Sequence, residues 1–94
     1  MEIEFERTFL LKNIPAGMKQ CKTAGIDIYL DELEGLGVVD FEFTSRQEKD
    51  SFKIPDFCLA EVTQDEIIAG GILAGKKYSD IELLLNKYNY KKIK

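Results

Sequence analysis

Residues Met1–Leu11, MEIEFERTFLL, alternate polar and apolar more cleanly than any other part of the chain. As an extended strand they place Glu2, Glu4, Glu6, Thr8 and Leu10 on one face and Ile3, Phe5, Arg7, Phe9 and Leu11 on the other. Two further runs repeat the pattern. Val38–Phe43 sets Asp40 and Glu42 opposite Val39, Phe41 and Phe43, and Ile26–Leu30 sets Asp27 and Tyr29 opposite Ile26, Ile28 and Leu30. If the apolar faces share one core, Glu2, Glu4, Glu6, Asp27, Asp40 and Glu42 crowd one side of one sheet. Carboxylates that close raise one another's pKa unless a cation or a basic partner intervenes. What compensates that charge is the functional question.

The 94 residues suffice for one domain, 1–94, with a modest core. Hydrophobic residues make up 45% and charged residues 32%, with two prolines, as in an ordinary soluble globular protein. The net charge of −4 offers no basic footprint, which argues against nucleic acid and anionic membrane surfaces as partners. No apolar run approaches about 18 residues, and the first residues lack the pattern of a secretory leader, so membrane spanning and secretion are not expected. Cys21 and Cys58 are far apart and belong to no C-x-x-C pair, which fits reduced thiols in a cytoplasmic protein. With no histidine in the chain, histidine general-base catalysis and histidine metal ligation are excluded.

Between the first two alternating runs, Lys12–Gly25 carries Pro15 and Gly17 and reads as a connection. Ile26–Leu30 and Val38–Thr44 flank a short stretch containing Gly35 and Gly37, the pattern of an antiparallel hairpin. Helix starts follow. Ser45–Glu48, Thr63–Glu66 and Ser79–Glu82 each have capping-box spacing. They predict a helix over Arg46–Phe52, a short one at Ile67-Ile68 and one over Asp80–Tyr88 with an Ile81, Leu84, Leu85, Tyr88 stripe. The expected fold is α+β: a small antiparallel sheet of about three strands, with two to three helices on its apolar face. Open sheet edges invite another chain, so a homo-oligomer, a dimer above all, is expected to complete it.

The stretch Glu4–Leu11, EFERTFLL, resembles the N-terminal signature of the CYTH family, the triphosphate tunnel metalloenzymes, whose hallmark is E-x-E-x-K before an apolar strand end. Thr23–Tyr29 and Leu33–Phe43 are similar to the pair of late strands in that family, and Pro55–Asp80 to its C-terminal helical segment. These blocks touch nearly the whole chain. In the family, the blocks that meet here near Lys22-Thr23 are separated by several strands and helices, so the chain looks like a CYTH domain without its middle. Thr8 stands where the hallmark lysine is expected, and Gly25 where the family often has an acidic residue.

The resemblance implies part of a barrel in which acidic residues hold divalent metal and basic residues grip a triphosphate that is hydrolysed. Carried over by position, Glu4, Glu6, Asp40 and Glu42 would be metal ligands and Asp27 a catalytic, water-positioning base or a further ligand. Clustered hard oxygens suit Mg²⁺ or Mn²⁺. The phosphate clamp is another matter. Arg7 lies on the opposite face of the first strand, leaving Lys76 and Lys77 as the lysines able to reach a triphosphate or polyphosphate, few for about four negative charges. Three strands also fall short of the roughly eight that close a barrel. The expected function is a shortened CYTH-like domain that binds divalent metal but is catalytically weak or inactive. The alternatives are a metal-dependent triphosphatase assembled across a dimer, with Lys76 and Lys77 contributed in trans, and a structural oligomerisation module.

Overall fold

The first alternating run supplies a central strand, paired on both sides. The computed structural model describes residues 5–14, 24–69, 72–73 and 75–93. Within them β1 is Phe5–Leu11, β2 Ala24–Ile28, β3 Gly37–Phe43 and β4 Cys58–Glu61, in one antiparallel sheet of order β2-β3-β1-β4. The helices are α1, Arg46–Asp50, α2, Glu66–Ala69, and α3, Tyr78–Asn86, with a 3-10 turn at Asp31–Leu33 between β2 and β3. This is an α+β fold with four strands. The fourth, Cys58–Glu61, falls inside Pro55–Asp80, the stretch likened to a helical segment. Cys58-Leu59-Ala60-Glu61 is too short to show a period, and its strand character comes from pairing along β1, with a register shift between Leu10 and Leu11.

Register fixes which side chains share a face. Phe5 lies across from Phe43, Arg7 from Phe41 and Phe9 from Val39, with Ile26 of β2 beside Val39. The opposite face pairs Glu6 with Glu42, Thr8 with Asp40 and Leu10 with Val38. That second face is acidic only at one end. Leu10 and Val38 are buried beneath Leu33, Leu36, Ile68, Leu73, Ile81, Leu85 and Tyr90. On the other face Phe9, Leu11, Val39, Phe41 and Cys58 pack with Phe43, Phe52 and Phe57. Phe52, just beyond α1, joins these rings, its centroid 4.6 Å from that of Phe41 and 5.0 Å from that of Phe43. The sheet is therefore sandwiched between two cores, where one was expected, and helices cover both faces.

Local chemistry explains the helix bounds. Ser45 Oγ accepts the Glu48 N–H at 3.1 Å and starts α1 as its box predicts. α3 begins ahead of its predicted start, because the Asp80 carboxylate accepts the Lys77 N–H at 2.8 Å. After α3, Asn89 takes φ +59 and turns the chain back across the β2–β3 turn. There the buried Tyr90 hydroxyl donates to Gly35 O at 2.6 Å and accepts the Gly37 N–H at 2.7 Å, and the Ile93 N–H donates to Gly35 O at 2.9 Å. Ile93 Cδ1 lies 2.5 Å from where a Gly37 Cβ would sit, so the missing side chain makes room for this strap. Among the described residues no helix is long and apolar enough to cross a membrane.

Candidate functional site

The β1–β3 register places Glu6 directly across from Glu42, and the β2–β3 register places Gly25 across from Asp40 and Asp27 across from Val38. Glu6, Asp40 and Glu42 thus share one face of the sheet, at the end that the helices leave open, and Asp27 lies on the same face of the outer strand, level with the buried Val38. Opposed residues in such a ladder have Cα atoms about 4.5–5.5 Å apart. Glu6, Glu42 and Asp27 are exposed and Asp40 is half-buried. A Cβ at Gly25 would meet nothing within 4 Å, so open space adjoins Asp40. Glu4 lies outside the described residues. Among the described residues, no three acidic or thiol groups gather closely enough to hold a metal ion.

Thr8, at the position of the expected lysine, is fully buried and donates its hydroxyl to Asp40 Oδ1 at 2.6 Å. One Asp40 oxygen is therefore engaged by a neutral donor. From Thr8 the network runs through the sheet to the other face. The Thr8 N–H donates to Thr63 Oγ1 at 2.9 Å, and that hydroxyl donates to Glu61 Oε2 at 2.7 Å. Arg7 grips Glu61 with two hydrogen bonds, Nη2 to Oε1 at 2.7 Å and Nε to Oε2 at 3.1 Å, and donates from Nη1 to Lys49 O at 3.2 Å. The hydrogen bonds from Arg7, outweighing desolvation, hold the Glu61 carboxyl below its ordinary range, and those to Glu61 raise the Arg7 guanidinium. Arg7 faces away from the acidic end, as expected. Nothing in the sequence marks its partner Glu61, because recognising it requires β4, whose Glu61 lies across from Phe9 on the face of Arg7.

Tyr29 extends the acidic face toward the helices. Its phenol pKa is raised, first by burial and then by Asp27 and Asp40. It also lines a cleft of about 480 Å³ walled by residues 29–33, Leu73 and 75–77. Lys76 and Lys77 are in that wall, together with Asp31 and Glu32. The lysines thus come to the helix-covered side of the acidic face, and carboxylates of the same cleft offset their charge. What the arrangement offers chemically is a solvent-open shelf of hard oxygen donors, spread over three strands, beside a mixed-charge cleft. A cation that keeps most of its own water, as Mg²⁺ does, fits so dispersed a donor set better than one needing a closed cage. No family model matches the chain, and no curated protein or solved structure is significantly similar to it.

Proposed function

We propose that the protein is a shortened CYTH-like domain that binds a hydrated divalent cation, Mg²⁺ or Mn²⁺, on the open end of its acidic face. The observation that supports this most directly is the register setting Glu6 against Glu42, with Asp40 beside them and Asp27 on the neighbouring strand. Carboxylate oxygens gathered on one face are hard donors of the kind that Mg²⁺ and Mn²⁺ take. In this reading Asp27 is the residue that would position water. Binding of triphosphate or polyphosphate through Lys76 and Lys77 is weak, because Asp31 and Glu32 share their cleft, and catalysis is correspondingly weak or absent. The protein acts in the cytoplasm as a homodimer. Its Cys58 stays reduced there, a buried thiol whose pKa burial pushes up to about 11 and which is therefore a poor nucleophile.

Manganese gives a residue-resolved test. Titrated into the labelled protein, Mn²⁺ should selectively broaden the amide resonances of Glu6, Gly25, Asp40 and Glu42, and Mg²⁺ in excess should restore them. Glu42→Gln combined with Asp40→Asn should abolish the effect. Uniform broadening at millimolar Mn²⁺, or broadening that survives both substitutions, rules out a cation site on this face.

A further inference from the structure

A second concavity, of about 250 Å³, opens where the end of β1, the edge strand β4 and the turn after α3 meet. Leu11, Lys12, Leu59, Asn89 and Lys91 line it. Its floor is apolar, since Leu11 is fully buried and Leu59 packs half-buried against the core beneath α3. Its rim carries two lysines and one carboxamide, all exposed, and no carboxylate lines it among the described residues. On a chain of net charge −4, a concavity with that rim is a local reversal of sign. The mixed cleft of Lys76 and Lys77 has no such reversal.

The cations also stand on fixed backbone. Lys12 follows directly on β1, and its N–H donates to Phe57 O at 2.8 Å. Lys91 follows Tyr90, whose buried hydroxyl is bonded to both Gly35 and Gly37. Between α3 and Tyr90, Asn89 is set by its left-handed backbone and by its N–H donating to Asn86 O at 3.0 Å. The influence of Lys12 reaches inward, where it works against burial in lowering the Cys58 thiol.

We propose that this pocket binds the phosphoryl group of a small phosphorylated molecule, between Lys12 and Lys91 with the Asn89 carboxamide as neutral donor. The molecule's apolar body rests on Leu59, at the apolar floor. Phosphoryl is favoured over carboxylate because ammonium groups act as point charges with several rotatable donors, whereas planar carboxylate recognition uses the guanidinium fork that the lining lacks. The site is separate from the acidic face and does not depend on a cation there.

The test is an amide-resolved titration with three probes at matched ionic strength: inorganic phosphate, propyl phosphate and acetate. Phosphate should give saturable shifts centred on Lys12, Leu59, Asn89 and Lys91, and propyl phosphate should bind more tightly. Acetate should give neither. Lys12→Gln and Lys91→Gln should each weaken phosphate by about fivefold, as for partly exposed charge pairs. Both substituted side chains are exposed, so an unchanged spectrum elsewhere verifies that the fold is intact. Shifts centred on Lys76 and Lys77, unsaturable shifts at every lysine, or affinity indifferent to Lys12 and Lys91 overturn the site. Equal binding of acetate overturns its phosphoryl specificity, and propyl phosphate no tighter than phosphate overturns the role of the floor.

Discussion

Arg7 sits on a face that alternation marks as apolar, between Phe5 and Phe9, and the structure explains how a cation is accommodated there. Its guanidinium lies 5.2 Å from the centroid of the Phe9 ring and spends its donors on Glu61 and Lys49 O. Replacing it by methionine keeps the apolar stem but leaves a partly buried carboxylate supported by Thr63 alone, which should cost about 1–3 kcal/mol at neutral pH. The sign of the pH dependence follows from Glu61. Its folded pKa lies below its ordinary value of 4.5, so the pair stabilises the fold above that value and loses its contribution as pH falls through the folded pKa. Urea unfolding of wild type and Arg7→Met should therefore differ most near neutrality and converge in acid. A difference that persists once carboxylates are protonated would mean that Arg7 acts through packing and not through Glu61.

Elements were legible where they were long enough to show a period. β1, β2 and β3 follow from alternation, because each presents apolar side chains to a core on one face at least. β4 does not, because four residues carry no period and its partner strand lies about fifty positions earlier in the chain. The capping boxes succeed and fail for a local reason. Ser45 caps α1, but Thr63 gives its hydroxyl to Glu61, and α3 starts where Asp80 reaches the Lys77 backbone. The shared acidic face was legible as a pattern, while its closed half was not: Leu10 falls in the same register as Glu6 and Thr8, and only the fold shows the helices above it. Least legible was the C-terminal strap, because Tyr90 follows the end of a helix with no pattern around it. Its hydroxyl is pushed up to about 12, chiefly by burial. Tyr90→Phe removes the partner of two buried backbone groups and should cost about 1–3 kcal/mol. Since the folded pKa lies above the ordinary 10.0, the wild-type strap contributes its full stability below pH 10 and loses it as pH rises toward the folded value. An alkaline melting series should show that loss in wild type, and a Tyr90→Phe protein with the same alkaline limb would place its origin elsewhere.

At the scale of the whole molecule the two cores divide the aromatic residues almost by type. Tyr29, Tyr78, Tyr88 and Tyr90, the four tyrosines of the chain, lie in or against the core beneath α3, whereas Phe9, Phe41, Phe43, Phe52 and Phe57, five of its six phenylalanines, belong to the other. Successive residues of β1 supply both cores, Leu10 to one and Phe9 and Leu11 to the other, so neither core can dissolve without uncovering the strand that the second needs. Tyrosine and phenylalanine near-ultraviolet circular dichroism bands should therefore report the same melting midpoint, although they watch opposite faces of the sheet. Ile81→Val in one core and Phe41→Leu in the other, each costing about 1 kcal/mol, should lower both bands together. Separate midpoints would divide the molecule into two independently melting halves. The same experiment reads the oligomeric state, because β2 and β4 are the outer strands of an open sheet and partners bound there stabilise the folded chain by mass action. For the proposed homodimer the shared midpoint should climb as protein concentration is raised. A midpoint independent of concentration would make the four strands a sufficient unit on their own and confine any cation or phosphate chemistry to the faces of a single chain.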